Sequence, residues 1–303
     1  MTKEKTNPLF ETSLTNRLGN RDTNEDRADI FEKEDAIMLV LADGMGGYEG
    51  GDLAAQAIIS TLGKRFTNYN GKINDVQDFL TQTIAATHQT VIEIGKRQDP
   101  PITPRSTCVA CIIQDGEASW AHVGDSRLYL IRDDKVLFRT RDNSYVEKLY
   151  QQGKITREEM STHPMKNHLT ECIGGDPTPP MITRGKTTKL QENDIVLLCS
   201  DGLWSALSDN MMVRDLADKT LEQGIEAMAE NAEQASYPQS DNITIVALHW
   251  KQNKDKGEKM DSEPEIKKEP EKSRAMESVD KLDSAIEEIE NTIKEFEHEI
   301  KKS

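Results

Sequence analysis

The sequence predicts an α+β domain in which antiparallel sheets lie beneath outer helices. Three observations predict it. Apolar runs of strand length recur along residues 1–250. They cluster in pairs joined by turns such as Gln114-Asp115-Gly116. Three longer stretches carry helical spacing. The strand runs are AIMLVLAD (36–43), TCVACIIQD (107–115), EASWAHVGD (117–125), RLYLIRDD (127–134), DIVLLCSD (194–201) and NITIVALHW (242–250). Their β-branched and aromatic side chains suit a pleated, packed surface. The helices are expected over 51–66, 76–97 and 211–236, where apolar residues return every three or four positions. No internal repeat is visible within 1–250.

The chain changes character near Trp250. Among the first 250 residues 64 are charged; among the last 53, 28 are, about twice the density. Residues 251–274 contain two prolines and no aromatic residue, the composition of a charged, disordered linker. Beyond it Val279, Leu282, Ile286, Ile289, Ile293, Phe296 and Ile300 form a three-heptad a/d pattern, so 275–303 is expected to be a helix. It docks on its own catalytic domain or forms a coiled coil with another chain. Acidic e positions (Asp283, Glu290, Glu297) repel in an antiparallel homodimer and are neutral in a parallel one, which ranks a basic partner helix or self-docking slightly above homodimerisation. The expected organisation is therefore a catalytic domain over 1–250, a linker over 251–274 and a heptad-patterned helix over 275–303.

Composition excludes several function classes. A net charge of −16 over 303 residues argues against nucleic acid or an anionic membrane as the main partner. No run of 18 apolar residues occurs, so no membrane insertion is expected. The start MTKEKTNPLFETS has no apolar signal core, and four scattered cysteines do not make a disulfide scaffold. These features fit a soluble, reducing, cytoplasmic setting. Cys108 and Cys111, three apart on a strand, face opposite sides and are expected to pack in the core. None of the four cysteines has the Arg six residues later that a cysteine-based phosphatase needs. GMGGYEGG matches neither phosphate-loop pattern. The six histidines show no metal spacing, and His122 is expected to be packed. Trp204 and Trp250 are expected in the core.

Acids gather where strands end. Asp43 closes AIMLVLAD and precedes Gly44, Asp201 closes DIVLLCSD, Asp241 and Asn242 open NITIVALHW, and Glu25 and Asp26 follow Arg21. A single Asp-Gly is an ordinary turn. Several acids delivered to one end of a sheet repel one another unless something positive lies between them. A donor set made wholly of oxygen suits a hard divalent ion.

The motifs RDTNED (21–26), LADGMGG (41–47), VGDSR (123–127), CSDGLW (199–204) and SDNITIV (240–246), in this order, resemble the metal-dependent protein phosphatases, the PPM family, and within it the compact bacterial branch. The resemblance implies two antiparallel sheets sandwiched between helical layers (αββα). It implies two Mn²⁺ or Mg²⁺ ions, bridged by Asp43 and completed by the Gly44 carbonyl, Asp201, Asp241 and Glu25, with Asp26 supporting that shell and Asn242 beside it. Arg21 would hold the phosphate oxygens. Asp125, with Asp201, would bind a weaker third ion. A metal-bridging hydroxide would attack phosphoserine or phosphothreonine in a protein directly, opposing a serine/threonine kinase. Departures from the pattern are Met45, which cannot donate a proton to the leaving group, Ser205, where relatives add an acid, and Glu171 in the flap region 144–176, where relatives often have Arg. The competing expectation is a pseudophosphatase that binds phosphoproteins without turnover and recruits partners through its C-terminal helix.

Overall fold

The computed structural model describes residues 3–7, 9–45 and 50–251. The expected heptad helix, and all of the expected linker beyond Lys251, lie outside the described residues. In chain order the elements are β1 (Lys3–Asn7), β2 (Phe10–Arg17), β3 (Asp26–Glu32), β4 (Ala36–Asp43), α1 (Gly51–Asn68), α2 (Val76–Lys96), β5 (Arg105–Ser106), β6 (Cys108–Gln114), β7 (Glu117–Val123), β8 (Arg127–Arg132) and β9 (Lys135–Arg139). There follow α3 (Tyr145–Gln151), α4 (Arg157–Thr162), β10 (Ile173–Gly174), β11 (Thr183–Arg184), β12 (Thr188–Lys189), β13 (Ile195–Cys199), α5 (Asp201–Trp204), α6 (Asp209–Leu216), α7 (Leu221–Ser236) and β14 (Ile243–Trp250).

Two antiparallel sheets form the centre. One runs β1-β2-β14-β13-β8-β9; the other runs β11-β7-β6-β4-β3, with β12 also paired to β7. The period-two alternation of each strand sends its side chains into two different cores. On β4, Met38, Val40 and Ala42 pack with α1 and α2, while Ile37, Leu39 and Leu41 face the other sheet. On β13, Val196 and Leu198 enter that same inter-sheet core, and Leu197 and Cys199 pack with α5–α7. Three apolar layers therefore separate four layers of structure, which is the αββα arrangement. The C-x-x-C pair follows this logic: Cys108 lies in the helix-side core and Cys111 between the sheets.

Two expectations are corrected. The helix over 211–236 is two helices, α6 and α7. Asp218 takes a left-handed φ of 56°, and Thr220 starts α7 with a capping box to Gln223, so the backbone cannot run through. Trp204 and Trp250 are half-buried at core margins rather than inside; Trp250 stacks on Phe10. Strands β2, β3 and β9, absent from the sequence reading, are also present. β2 is buried through Thr12, Ser13 and Thr15, polar residues that leave no apolar alternation to detect.

Leu198 is fully buried between the sheets. Leu198→Ala is expected to lower the unfolding free energy by about 2–5 kcal/mol, read as a fall in the urea midpoint at unchanged slope. A change near zero would contradict a close-packed inter-sheet core.

Candidate active site

The acids anticipated at strand ends meet at one end of the sandwich. Asp43 is the last residue of β4 and Asp26 the first of β3, and the two are direct cross-strand partners. Asp201 opens α5 immediately after β13 and Ser200, Asp125 sits in the β7–β8 turn, and Asp241 precedes β14. A cavity of about 810 Å³ is lined by Arg21, Asp125, Asp201 and Asp241.

The backbone beneath these side chains is pinned. The Asp43 N–H donates to Thr107 Oγ1 at 3.0 Å, and the Asp43 carbonyl accepts from Thr107 N–H at 2.9 Å and Ser106 Oγ at 2.8 Å. Asn242 clasps the 18–25 loop. Its Nδ2 donates to the Leu18 and Thr23 carbonyls, at 2.8 and 3.1 Å, and its Oδ1 accepts from Glu25 N–H at 2.9 Å. Gly44 and Gly51 pack so closely that a Cβ on Gly44 would stand 2.5 Å from the Gly51 carbonyl, and one on Gly51 would stand 2.8 Å from Glu25 Oε2. Gly124, at φ 99°, makes the turn that carries Asp125; a Cβ there would strike the Thr107 side chain.

Electrostatics mark the cluster. Burial pushes the Asp43 carboxyl well above the usual carboxylate range, and the charges of Asp26, Asp201, Asp125 and Asp241 push it further. Asp125 is raised in the same direction by burial and by Asp201. Burial, with Asp241 and Asp26, raises Asp201 to about 7. Burial raises Asp26 to about 6 against the pull of the Ser200 and Thr244 hydroxyls. Glu25 is raised by burial and by Asp52. Arg21 stands at the mouth, its Nη2 2.7 Å from Asp241 Oδ2.

The donor set fits a hard divalent cation. Every group is an oxygen ligand, the carboxylates repel one another, and Asp26 Oδ2 is buried with no hydrogen-bond partner. Among the described residues no three acids already converge on one point. The charges of Asp26 and Asp201 both raise Asp43, the repulsion that a cation between them would relieve. The sequence-expected residues Arg21, Glu25, Asp26, Asp43, Gly44, Asp125, Asp201, Asp241 and Asn242 all belong to this end of the molecule.

Two features were not anticipated. Asp52, in the first turn of α1, bears on Glu25; its only sequence signal is an acid at a helix start. Arg127 makes a two-point pair with Asp142, at 2.8 and 2.8 Å, and lies 3.6 Å over the Trp204 ring, whose Nε1 donates to the Asp125 carbonyl at 3.0 Å. Of the flagged positions, Ser205 lines the cleft. Glu171 Oε2 accepts from Met181 N–H at 2.9 Å and so ties the flap region to residue 181. His122 is buried with Nε2 2.8 Å from the Arg141 carbonyl, a packed histidine as expected.

Known proteins share this arrangement. The protein phosphatase 2C family matches residues 15–240. Protein phosphatase PhpP of Streptococcus pneumoniae is 32% identical over 251 residues, covering 79% of this chain and 97% of that protein. The S. agalactiae serine/threonine phosphatase superposes with a TM-score of 0.73 at 30% identity, covering 80% of this chain and all of the other. The catalytic domain of the serine/threonine protein phosphatase PstP, solved with two manganese ions, superposes with a TM-score of 0.67 at 26% identity, covering 80% and 99%.

Asp201 and Asp26 have folded pKa values above their unfolded ones. They therefore lower the stability of the metal-free fold progressively as pH rises from about 4 through 7. A divalent ion binds the deprotonated carboxylates. The rise in thermal midpoint produced by Mn²⁺ over EDTA is thus expected to grow from pH 5 to pH 8. A rise independent of pH would place the ions elsewhere.

Proposed function

The chain belongs to the protein phosphatase 2C family of metal-dependent phosphatases, and from that premise we infer that it is a serine/threonine protein phosphatase. It hydrolyses the phosphoric monoester of phosphoserine or phosphothreonine: the P–O bond to the side chain breaks, water supplies the new P–O bond, and the hydroxyl is released. The observation that carries this reading is the carboxylate cluster of Asp26, which is buried, and Asp43, Asp125 and Asp201, which are part-buried, with Asp125 and Asp201 lining a cleft that has Arg21 at its mouth. A non-catalytic binding protein has no use for such a cluster, whose burial destabilises the fold.

Asp43, the Gly44 carbonyl, Asp201, Asp241 and Glu25 are the residues that would hold two Mn²⁺ or Mg²⁺ ions. Asp125 and Asp201 would hold a weaker third ion, and Asp26 and Asn242 would support the ligands from behind. Bound ions supply an activated water near neutral pH and neutralise phosphoryl charge. The chain's own groups do the rest. Arg21, oriented by Asp241, offers its remaining N–H donors to phosphoryl oxygens, a fork geometry suited to two oxygens at once. The clamps on Asp43 and Glu25 fix the backbone from which their carboxylates project. Met45 cannot donate a proton, so the leaving oxygen takes its proton from water.

The wider setting follows the same reading. A serine/threonine kinase is the opposing activity, a phosphoprotein is the substrate, and the cytoplasm is the site of action. Among the described residues no helix is long and apolar enough to cross a membrane. The catalytic unit is 1–250, and the a/d stripe of 279–300 is its contact with a partner helix, a second copy or the domain itself.

Hydrolysis of p-nitrophenyl phosphate is expected to require Mn²⁺ and to cease in EDTA. Arg21→Ala is expected to reduce kcat/KM by about a hundred- to a thousandfold, the worth of one donor aimed at the transition state. Metal-independent turnover, or full activity in Asp201→Asn, would overturn the assignment. Asp125→Ala is expected to lower turnover while two ions per chain survive dialysis; loss of both would remove Asp125 from the third site.

A further inference from the structure

We propose that a second anion-binding subsite adjoins the catalytic cleft, built by Arg139, Arg141 and Arg157, and that it receives an acidic or phosphorylated side chain of the substrate a few residues from the phosphoamino acid being cleaved. The proposal rests on the phosphatase reading above and extends it to substrate choice.

A cavity of about 490 Å³ is lined by these three arginines together with Glu147, Gln151 and Met160. Arg139, Arg157 and Met160 also line the catalytic cleft, so the two cavities share a wall. Three guanidinium groups around one cavity run against the composition of a chain with a net charge of −16. They come from three places, the end of β9, the loop after it and the first residue of α4.

Their bonding sets them apart. Arg17, Arg127 and Arg132 each hold a carboxylate, on Glu233, Asp142 and Asp194. Arg139 and Arg157 make no salt bridge or side-chain hydrogen bond to a described residue. Arg141 makes one long contact, Nη1 to Gln151 Oε1 at 3.4 Å. Glu147 offsets part of the charge, but it is buried and accepts from Gln151 Nε2 at 2.7 Å. Glu158, the acid that feels Arg157, is fully exposed. Lys166 adds a further cation on the cleft side. The balance leaves forked donors facing a space beside the reacting phosphate. Carboxylates and phosphates are the groups that match such donors at two points.

The test uses the full-length, Mn²⁺-loaded protein and one phosphothreonine peptide in three forms: neutral flanks, glutamates on either side, and a second phosphate nearby. For wild type, kcat/KM is expected to be about three- to tenfold higher for the anionic peptides at low salt, the worth of two or three solvent-facing charge pairs. The preference is expected to fade in 0.5 M salt. Arg139→Ala with Arg157→Ala should abolish the preference, and Arg141→Ala, at a residue that lines only the adjoining cavity, should weaken it and leave p-nitrophenyl phosphate turnover within twofold. The paired Lys variants should restore part of it. A gain with glutamate, with phosphate or with both supports the subsite and identifies its occupant. Equal rates for all three peptides, or a preference that survives the double variant, would overturn it. Failure of the parent reading would look different, as wild type with no Mn²⁺-dependent turnover of p-nitrophenyl phosphate.

Discussion

Like charges brought out of water at one end of the sandwich are the constraint around which this molecule is arranged. Asp43, Asp125 and Asp201 are all pushed upward by burial first and by neighbouring carboxylates second. Such a group persists only where the backbone allows no retreat. That explains why the carbonyl and amide of Asp43 are both tied to Ser106 and Thr107, and why one asparagine, Asn242, binds three backbone groups of a loop more than 200 residues away in sequence. Gly44 and Gly51 approach each other closely here because backbone must pass backbone beside a carboxylate.

The layered core supplies the rigidity. Each central strand feeds two cores with alternate residues, so a strand cannot slide by one residue without exchanging its two apolar sets. Asp43 is fixed in height by Met38, Val40 and Ala42 on one face and by Ile37, Leu39 and Leu41 on the other. Register and site geometry are thus one property. The cleft itself is less constrained. Much of its outer wall comes from α3, α4 and the loops around them, where α4 has no buried residue. The proposed substrate subsite therefore sits beside a helix that contributes no buried residue.

The most legible parts of the sequence were the ones that bury both faces. β4 was read at its observed limits, 36–43, because seven apolar or small residues end abruptly at Asp43-Gly44. Asp43, Asp201 and Asp241 were legible for the same reason: each ends or directly precedes such a run. β2 and β3 were not legible. Thr12, Ser13 and Thr15 are buried by pairing and layering, which polar residues do not announce. The break between α6 and α7 was written as Thr220-x-x-Gln223, yet apolar spacing on both sides outweighed it. The Arg127–Asp142–Trp204 contacts join residues 15 and 77 positions apart, and no local pattern encodes a guanidinium stacked on an indole.

That stacked indole has an optical consequence. Trp204 is one of three tryptophans in the chain. Trp120 is buried beside Phe138, and Trp250 stacks on Phe10 at the far end of β14. Trp204 alone among them lines the catalytic cleft, with a guanidinium over its face and its N–H on the carbonyl of Asp125. Indole emission responds to charge placed close to the ring. The molecule therefore carries a built-in fluorescent reporter at the junction of the carboxylate cluster and the flap, and changes of charge in the cleft are written into its intrinsic emission without any added label.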